Sequence, residues 1–287
     1  MKRTAVILGV LTFAIWLTAQ SSGQAAAQAP AAGQPAQAPT KRPPQLKTKP
    51  EQDAYNAAIA ITDPAGLEKA ADDFAAKFPD SEVRVLLYKN AMRMDQRANN
   101  AEKTEAMGRK VLALDPDDPE ALTTVAEVIA ERTHDTDIDK DQRYDEGMKM
   151  AQHALQTIDT DVSVPAGTPD DKLNAYKSGL RSQAYSTMGA IEYNRNNFAA
   201  AQTDFQKAID AYPSEPYPLD VLRLALSIDK LATADSDRDK QRKLYGDALK
   251  VANRAVDLTQ DNTQIGTTAR RERDRLQQLT GAAAPTQ

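Results

Sequence analysis

From about residue 51 to residue 280 the chain repeats helical spacing almost without interruption, and it breaks only at short turns that also start helices. Asp63-Pro64 and Asp118-Pro119 each put an Asp at an N-cap and a Pro at the first helical position, where the missing N–H costs nothing. Glu215-Pro216 reads the same way with a weaker cap, and Asn196-Asn197 ends one helix and caps the next. No segment shows the two-residue alternation of a strand. Short helices joined by short turns cannot each bury an apolar face alone, so the core must come from stacking pair upon pair. Composition agrees. Ala, Leu, Gln, Arg and Lys lose little rotamer freedom in a helix, and aromatic residues make up only 5% of the chain.

The clearest unit spans residues 182–213. Tyr185, then Met188-Gly189, then Ala201, Phe205 and Ala208 lead to Pro213. Gly189, Ala201 and Ala208 let two antiparallel helices approach closely, and Tyr185 and Phe205 fill the space between them. Weaker units run in step. Residues 88–116 end in Val111-Leu112-Ala113-Leu114-Asp115-Pro116. Residues 119–159 carry Leu122, Val125 and Ile129, then Gly147, Ala151 and Ala154-Leu155. Residues 216–259 carry Leu219, Leu222 and Leu226, then Ala248, Ala252 and Ala255-Val256. Residues 55–79 form a truncated first unit with Ala70, Phe74 and Phe78. This arrangement resembles the tetratricopeptide repeat family, with one departure: Glu192 stands where a Tyr is usual, beside Tyr193. The resemblance implies an all-α, right-handed α-solenoid of about five helix pairs. Residues 263–279 read as a C-terminal capping helix whose outer face carries Arg270, Arg271, Arg273 and Arg275. A longer repeat is superimposed: Asp135, Asp137, Asp139 and Lys140 recur as Asp235, Asp237, Asp239 and Lys240, each set followed by Gln-Arg.

The flanks have a different character. Met1-Lys2-Arg3, an apolar run over residues 4–17 and small residues up to Ala29 read as an export signal over residues 1–25, with an uncleaved anchor as the alternative. Residues 26–50 are rich in Ala, Gln and Pro and read as a disordered tether, and residues 281–287 as a disordered tail. The expected location is periplasmic or secreted, with no stable membrane insertion after cleavage.

Several chemistries are excluded or disfavoured. There is no cysteine, so disulfides, thiolate metal sites and cysteine nucleophiles are impossible. A net charge of −5 argues against nucleic acid as a partner. His134 and His153 lie in no zinc-binding arrangement, and neither a phosphate-cradling glycine loop nor a nucleophile elbow is present. No enzyme activity and no cofactor are expected. Asp135, Asp137, Asp139 and Glu146 have the oxygen spacing of a calcium loop, but Lys140 stands where the sharp turn needs Gly. The competing reading, a solvated turn that precedes a helix N-terminus, is preferred.

The resemblance implies a concave face lined by the first helix of each pair. In this chain that face should contain Lys89, Arg93 and Arg97, spaced four apart; then Thr123, Glu127 and Glu131; then Ser186, Ala190, Tyr193 and Asn194; then Tyr217, Asp220 and Leu224. Gln183 and Thr187 stand where chaperone-binding members of the family hold basic residues against a C-terminal carboxylate. The expectation is therefore a non-catalytic adaptor or scaffold of the bacterial envelope, binding a protein or peptide segment in the groove. The alternative is a structural subunit packing through its convex face or ends. The loop over residues 160–171 reads either as a partner contact or as a mobile excursion.

Overall fold

Six of the eleven described helices are started by the side chain of the residue that precedes them. In the computed structural model, which describes residues 41–165, 167–260 and 263–281, Asp63 accepts a hydrogen bond from Gly66 N–H at 2.7 Å and starts α1's partner, α2 (Pro64–Lys77). Asp118 accepts from Ala121 N–H at 2.9 Å and starts α5 (Pro119–Arg132). Thr48 and Glu51 form a reciprocal capping box at α1 (Lys49–Ile59). Asn100 caps α4 (Ala101–Leu114), which follows α3 (Arg84–Arg97). The remaining helices are α6 (Lys140–Thr157), α7 (Asp170–Asn194), α8 (Phe198–Ala211), α9 (Pro218–Ala234), α10 (Arg238–Asp257) and α11 (Gln264–Thr280). All belong to one compact unit, Thr40–Gln287.

Every described element is a helix, and each packs on the next in the chain. This is the all-α solenoid of helix pairs that the periodicity requires, with α11 closing the end against α10 and α9. Helix stops also repeat. Asn99 (φ 56°) and Asn196 (φ 62°) take the left-handed conformation just past α3 and α7. The following amides, Asn100 and Asn197, then reach back to the carbonyls of Asp95 and Glu192 at 2.9 and 2.8 Å. The stop at Asn196-Asn197 was expected, but Asn197 makes no side-chain cap bond to α8; Asn99-Asn100 is its counterpart 97 residues earlier, and there Asn100 does cap α4.

Two boundaries differ from the sequence reading. Helix α9 starts at Pro218 behind Tyr217, not at Pro216, because Pro218 also fits the first turn. Helix α7 starts at Asp170, well before residue 182, and runs for 25 residues. Its added turns hold Leu173 and Leu180 in a small cluster with Ile158 and Val162. The loop before α7 is therefore pinned by buried Val162 and is not a free excursion.

The close approach inferred around Gly189 is present. Phe205 is fully buried, and a Cβ at Gly189 would lie 2.8 Å from its Cδ1 and 2.9 Å from its Cε1. Gly108 repeats the device in the second unit, where a Cβ would lie 2.5 Å from Val125 Cγ2. The proposed export signal and most of the tether lie outside the described residues, as do residues 282–287. Among the described residues no helix is long and apolar enough to cross a membrane.

Gly189→Ala gains helix propensity of about 1 kcal/mol but overpacks a ring that cannot move, at a cost of about 1–3 kcal/mol. The variant should unfold at lower urea concentration than wild type, with unchanged far-UV circular dichroism. A higher midpoint would show that Phe205 has room to yield.

Candidate functional site

Odd-numbered helices meet across the units. Helix α1 touches α3, α5 touches α7, α7 touches α9, and α9 touches α11. No pair of even-numbered helices is packed to that extent among the described residues. The odd helices therefore form the closely spaced inner side of the array, the face on which the sequence placed its candidate groove.

That face is crossed by polar pairs that bind one unit to the next. At the α3–α5 step, Lys89 Nζ lies 2.7 Å from Asp118 Oδ2 and 3.1 Å from Glu120 Oε2. Arg93 donates two parallel bonds to the Glu120 carboxylate, at 2.5 and 2.6 Å. The Tyr176 hydroxyl, on the added turns of α7, donates to the same carboxylate at 2.8 Å. Gln183 of α7 donates to Glu127 of α5 at 2.8 Å. Ser186 of α7 donates to Asp220 of α9 at 2.6 Å. Arg275 of α11 pairs with Asp229 of α9 and with Glu272.

The charges in the first step are held firmly. Burial works against the ionised form of Lys89, but Asp118 and Glu120 outweigh it and raise the ammonium above its ordinary range. Burial likewise works against the Glu120 carboxylate. Arg93 and Lys89 outweigh it and hold the group well below the usual carboxylate range. Tyr176 is pushed far up, by burial first and then by Glu120. Each buried ion thus has partners for its donors or lone pairs, the condition under which a buried charge is tolerated.

The expected groove residues consequently divide. Lys89 is only 8% exposed, Asp220 1% and Leu224 3%, so these three are interior residues and not exposed ligands for a partner. Thr123 is also buried. Leu224 belongs to the apolar cluster built from Phe205, Val221 and Leu249. Asn194, the last residue of α7, is exposed. Arg93, Glu127 and Ser186 are partly exposed but engaged in the pairs above. Arg97 and Glu131 are exposed at the C-terminal ends of α3 and α5. Tyr193 and Tyr217 are half-buried; Tyr193 packs edge-on against Phe198, with ring centroids 5.2 Å apart. Burial, followed by Asp229 and Glu272, raises the Tyr193 phenol, which places it beside the α9–α11 step.

Sequence reading missed Glu120, Tyr176, Asp229 and the linking role of Gln183. Spacing along one helix shows which residues share a face, but it does not show which residue of the next unit comes opposite.

The calcium-like spacing does not assemble. Lys140 pairs with Asp135 at 3.6 Å, and in the copy Lys240 pairs with Asp235 at 2.6 Å. The lysine that replaces the turn glycine thus brings the loop its own cation. Asp137 accepts from His134 N–H at 2.8 Å, and Glu146 accepts from Arg109 of α4 at 2.7 Å. Asp139 precedes α6 and makes no side-chain cap bond, whereas Asp237 caps α10 through Asp239 and Lys240 N–H. No group of three or more His, Asp or Glu is gathered to hold a metal ion among the described residues.

The N-terminal boundary also moves. Residues 41–47, assigned to the tether, lie against the unit. Lys41 Nζ lies 2.5 Å from Asp115 and 3.5 Å from Asp161, Arg42 reaches Glu82 at 2.8 Å, and Leu46 packs on the first core cluster.

The geometry defines a helical repeat protein whose inner side is stitched by polar pairs. No family model matches the chain, and no curated protein matches it. A solved structure described as the functional characterization of Pseudomonas aeruginosa pilF is similar at 17% identity, over 82% of this chain and 96% of that chain, with a TM-score of 0.44. At that identity and score the likeness supports no assignment, and the fold class stands on the helices themselves.

Arg93 and Glu120 should show a coupling of about 1.5–3 kcal/mol in a double-mutant cycle, the range for charge-assisted hydrogen bonds. Because the folded Glu120 is held below its unfolded value, its contribution is present above the ordinary carboxylate range and is lost only as pH falls through the lower, folded value. The coupling measured by urea unfolding should therefore be the same at pH 7 and at about pH 5.5, and shrink progressively below the ordinary carboxylate range. Its disappearance between pH 7 and about pH 5.5 would contradict the pairing.

Proposed function

We propose that this chain is a non-catalytic protein-interaction adaptor that binds a partner segment on the inner side of its odd-numbered helices. The observation that carries the reading is the linkage along that side: α1 packs on α3, α5 on α7, α7 on α9 and α9 on α11, and Lys89 and Arg93 of α3 pair with Asp118 and Glu120 at the start of α5, whereas no two even-numbered helices pack to that extent among the described residues. A linear segment laid along it would meet side chains from successive units. Of the expected groove residues, Arg97, Glu131 and Asn194 are exposed and Tyr193 and Tyr217 are half-buried, so each presents surface to such a segment. The two tyrosines offer large contact area with few rotatable bonds, the property that makes Tyr an interface anchor. The interior members, Lys89, Asp220 and Leu224, shape the surface and do not contact the partner.

The same proposal assigns residues 1–25 to a cleaved export signal and residues 26 to about 40 to a linker, so the adaptor acts outside the cytoplasm, in the bacterial envelope. Mass spectrometry of the mature N-terminus in an envelope fraction tests that part.

A photo-crosslinking side chain at Arg97 or at Tyr193 should capture the same partner in cells, whereas one at Gln206, exposed on α8, should not. Melting of each variant must first match wild type, because Tyr193 also packs on Phe198. Capture from Gln206 alone would overturn the inner-side reading and favour a structural subunit that packs through its outer helices.

A further inference from the structure

The segment before α1 lies on the array in a way that its own sequence explains. Residues 41–47 contain Lys41, Arg42 and Lys47 around Pro43-Pro44. Two prolines in sequence hold a chain extended and remove two backbone donors. Such a segment joins neither a helix nor a sheet, and it docks through its side chains. It meets three carboxylates that come from three separate connections: Glu82 before α3, Asp115 between α4 and α5, and Asp161 between α6 and α7. Lys41 pairs with Asp115 and Asp161, Arg42 with Glu82, and Lys47 Nζ lies 3.5 Å from Glu82. The Gln45 amide also donates to Glu82, at 3.2 Å. Three acids spaced along the rim where odd helices begin match the cations of one extended strap.

The strength of this contact decides its meaning. The Arg42 side chain is 60% exposed and that of Lys47 58%, and exposed ion pairs contribute little and are screened by salt. Leu46 packs against the first core cluster, but Pro44 covers Val85 and Leu86 loosely. A cavity of about 40 Å³ remains between the strap, Lys89 and Asp118. The acids are therefore chemically selective for a basic extended segment, while the resident segment fills the surface poorly and is held weakly. Its advantage is that it is tethered to α1, which gives it a high effective concentration.

We propose that Glu82, Asp115 and Asp161 form a docking site for an extended, basic, proline-containing segment of a partner protein, and that residues 41–47 occupy this site in cis until such a segment displaces them. A partner that repeats the two leading cations and places an apolar side chain in the cavity under Pro44 gains contacts that the strap lacks. The proposal rests on the adaptor reading only in taking the ligand to be a protein segment, and it adds a rim site to the inner side.

The probe is a fluorescent peptide of residues 38–48, titrated into the full chain and followed by anisotropy at low and moderate salt. Lys41→Ala with Arg42→Ala releases the strap, and this variant should bind the peptide at least tenfold more tightly than wild type. Adding Glu82→Gln and Asp115→Asn to the released variant should remove that binding. Affinity should fall as salt rises. If the double strap variant does not keep wild-type melting, Arg42→Ala alone serves, with a smaller gain in the same direction. Equal affinity of wild type and released variant would overturn cis occupancy. Absence of binding to the released variant up to millimolar peptide, or retention of binding after the acids are neutralised, would overturn the docking site. Concentration-dependent dimerisation of wild type that the strap changes abolish would overturn the partner in favour of a second copy exchanging straps. Failure here with crosslinks retained from Arg97 and Tyr193 would sink the strap proposal and leave the adaptor reading in place.

Discussion

One carboxylate sets the geometry of the N-terminal half. Glu120, on the first turn of α5, is enclosed between Lys89 and Arg93 of α3 and Tyr176 of α7, its side chain 13% exposed. Apolar packing holds each helix to its neighbour in sequence, but it tolerates sliding. A buried ion does not, because a shift that breaks one of its bonds leaves charge uncompensated in the interior. Glu120 therefore fixes α3, α5 and α7 in one register, and the added turns of α7 exist in the structure at the place where they deliver Tyr176. Farther along, Ser186 donates to Asp220 between α7 and α9, and Arg275 joins α11 to Asp229.

The same arrangement divides the inner side by task. Cations that a helical wheel presents as a binding stripe, Lys89 and Arg93, are consumed by Glu120 and Asp118. They cannot steer a partner and hold the fold at the same time. On the proposed adaptor reading, recognition falls to the ends of α3 and α5, to Tyr193 and Tyr217, and to the acidic rim that the strap covers. Stability and recognition would then be carried by different residues of the same helices.

Much of the fold was legible in the sequence because its signals are local. Asp63 and Asp118 cap the helices they were expected to cap, Asn196-Asn197 makes the left-handed stop, and Gly189 admits the Phe205 ring. Each of these depends on residues a few positions apart or on one helix pair. The site was less legible because it depends on partners 27 to 56 residues away, as with Arg93 and Glu120 or Tyr176 and Glu120. A four-residue spacing placed Lys89 and Arg93 on the right face but said nothing of how near α5 would come. The strap was hidden for a different reason. Its composition is that of a tether, and only the positions of Glu82, Asp115 and Asp161, set by three turns, give it something to hold. The lysine that argued against a calcium loop in the sequence, Lys140 or Lys240, pairs with the first acid of its own set.

Native-state hydrogen exchange on wild type and Glu120→Gln tests the central claim most directly. If Glu120 locks three helices together, removing its charge deprives Arg93 of its bidentate partner and leaves the buried Lys89 with Asp118 alone. The opening free energies of the most protected amides in α3, α5 and α7 should then fall together, by about 3 kcal/mol, the low end for breaking a buried ion pair. Those in α10 and α11 should stay at their wild-type values. A loss of protection confined to the first turn of α5, with α3 and α7 unchanged, would show that apolar packing alone sets the register and that the buried network only decorates it.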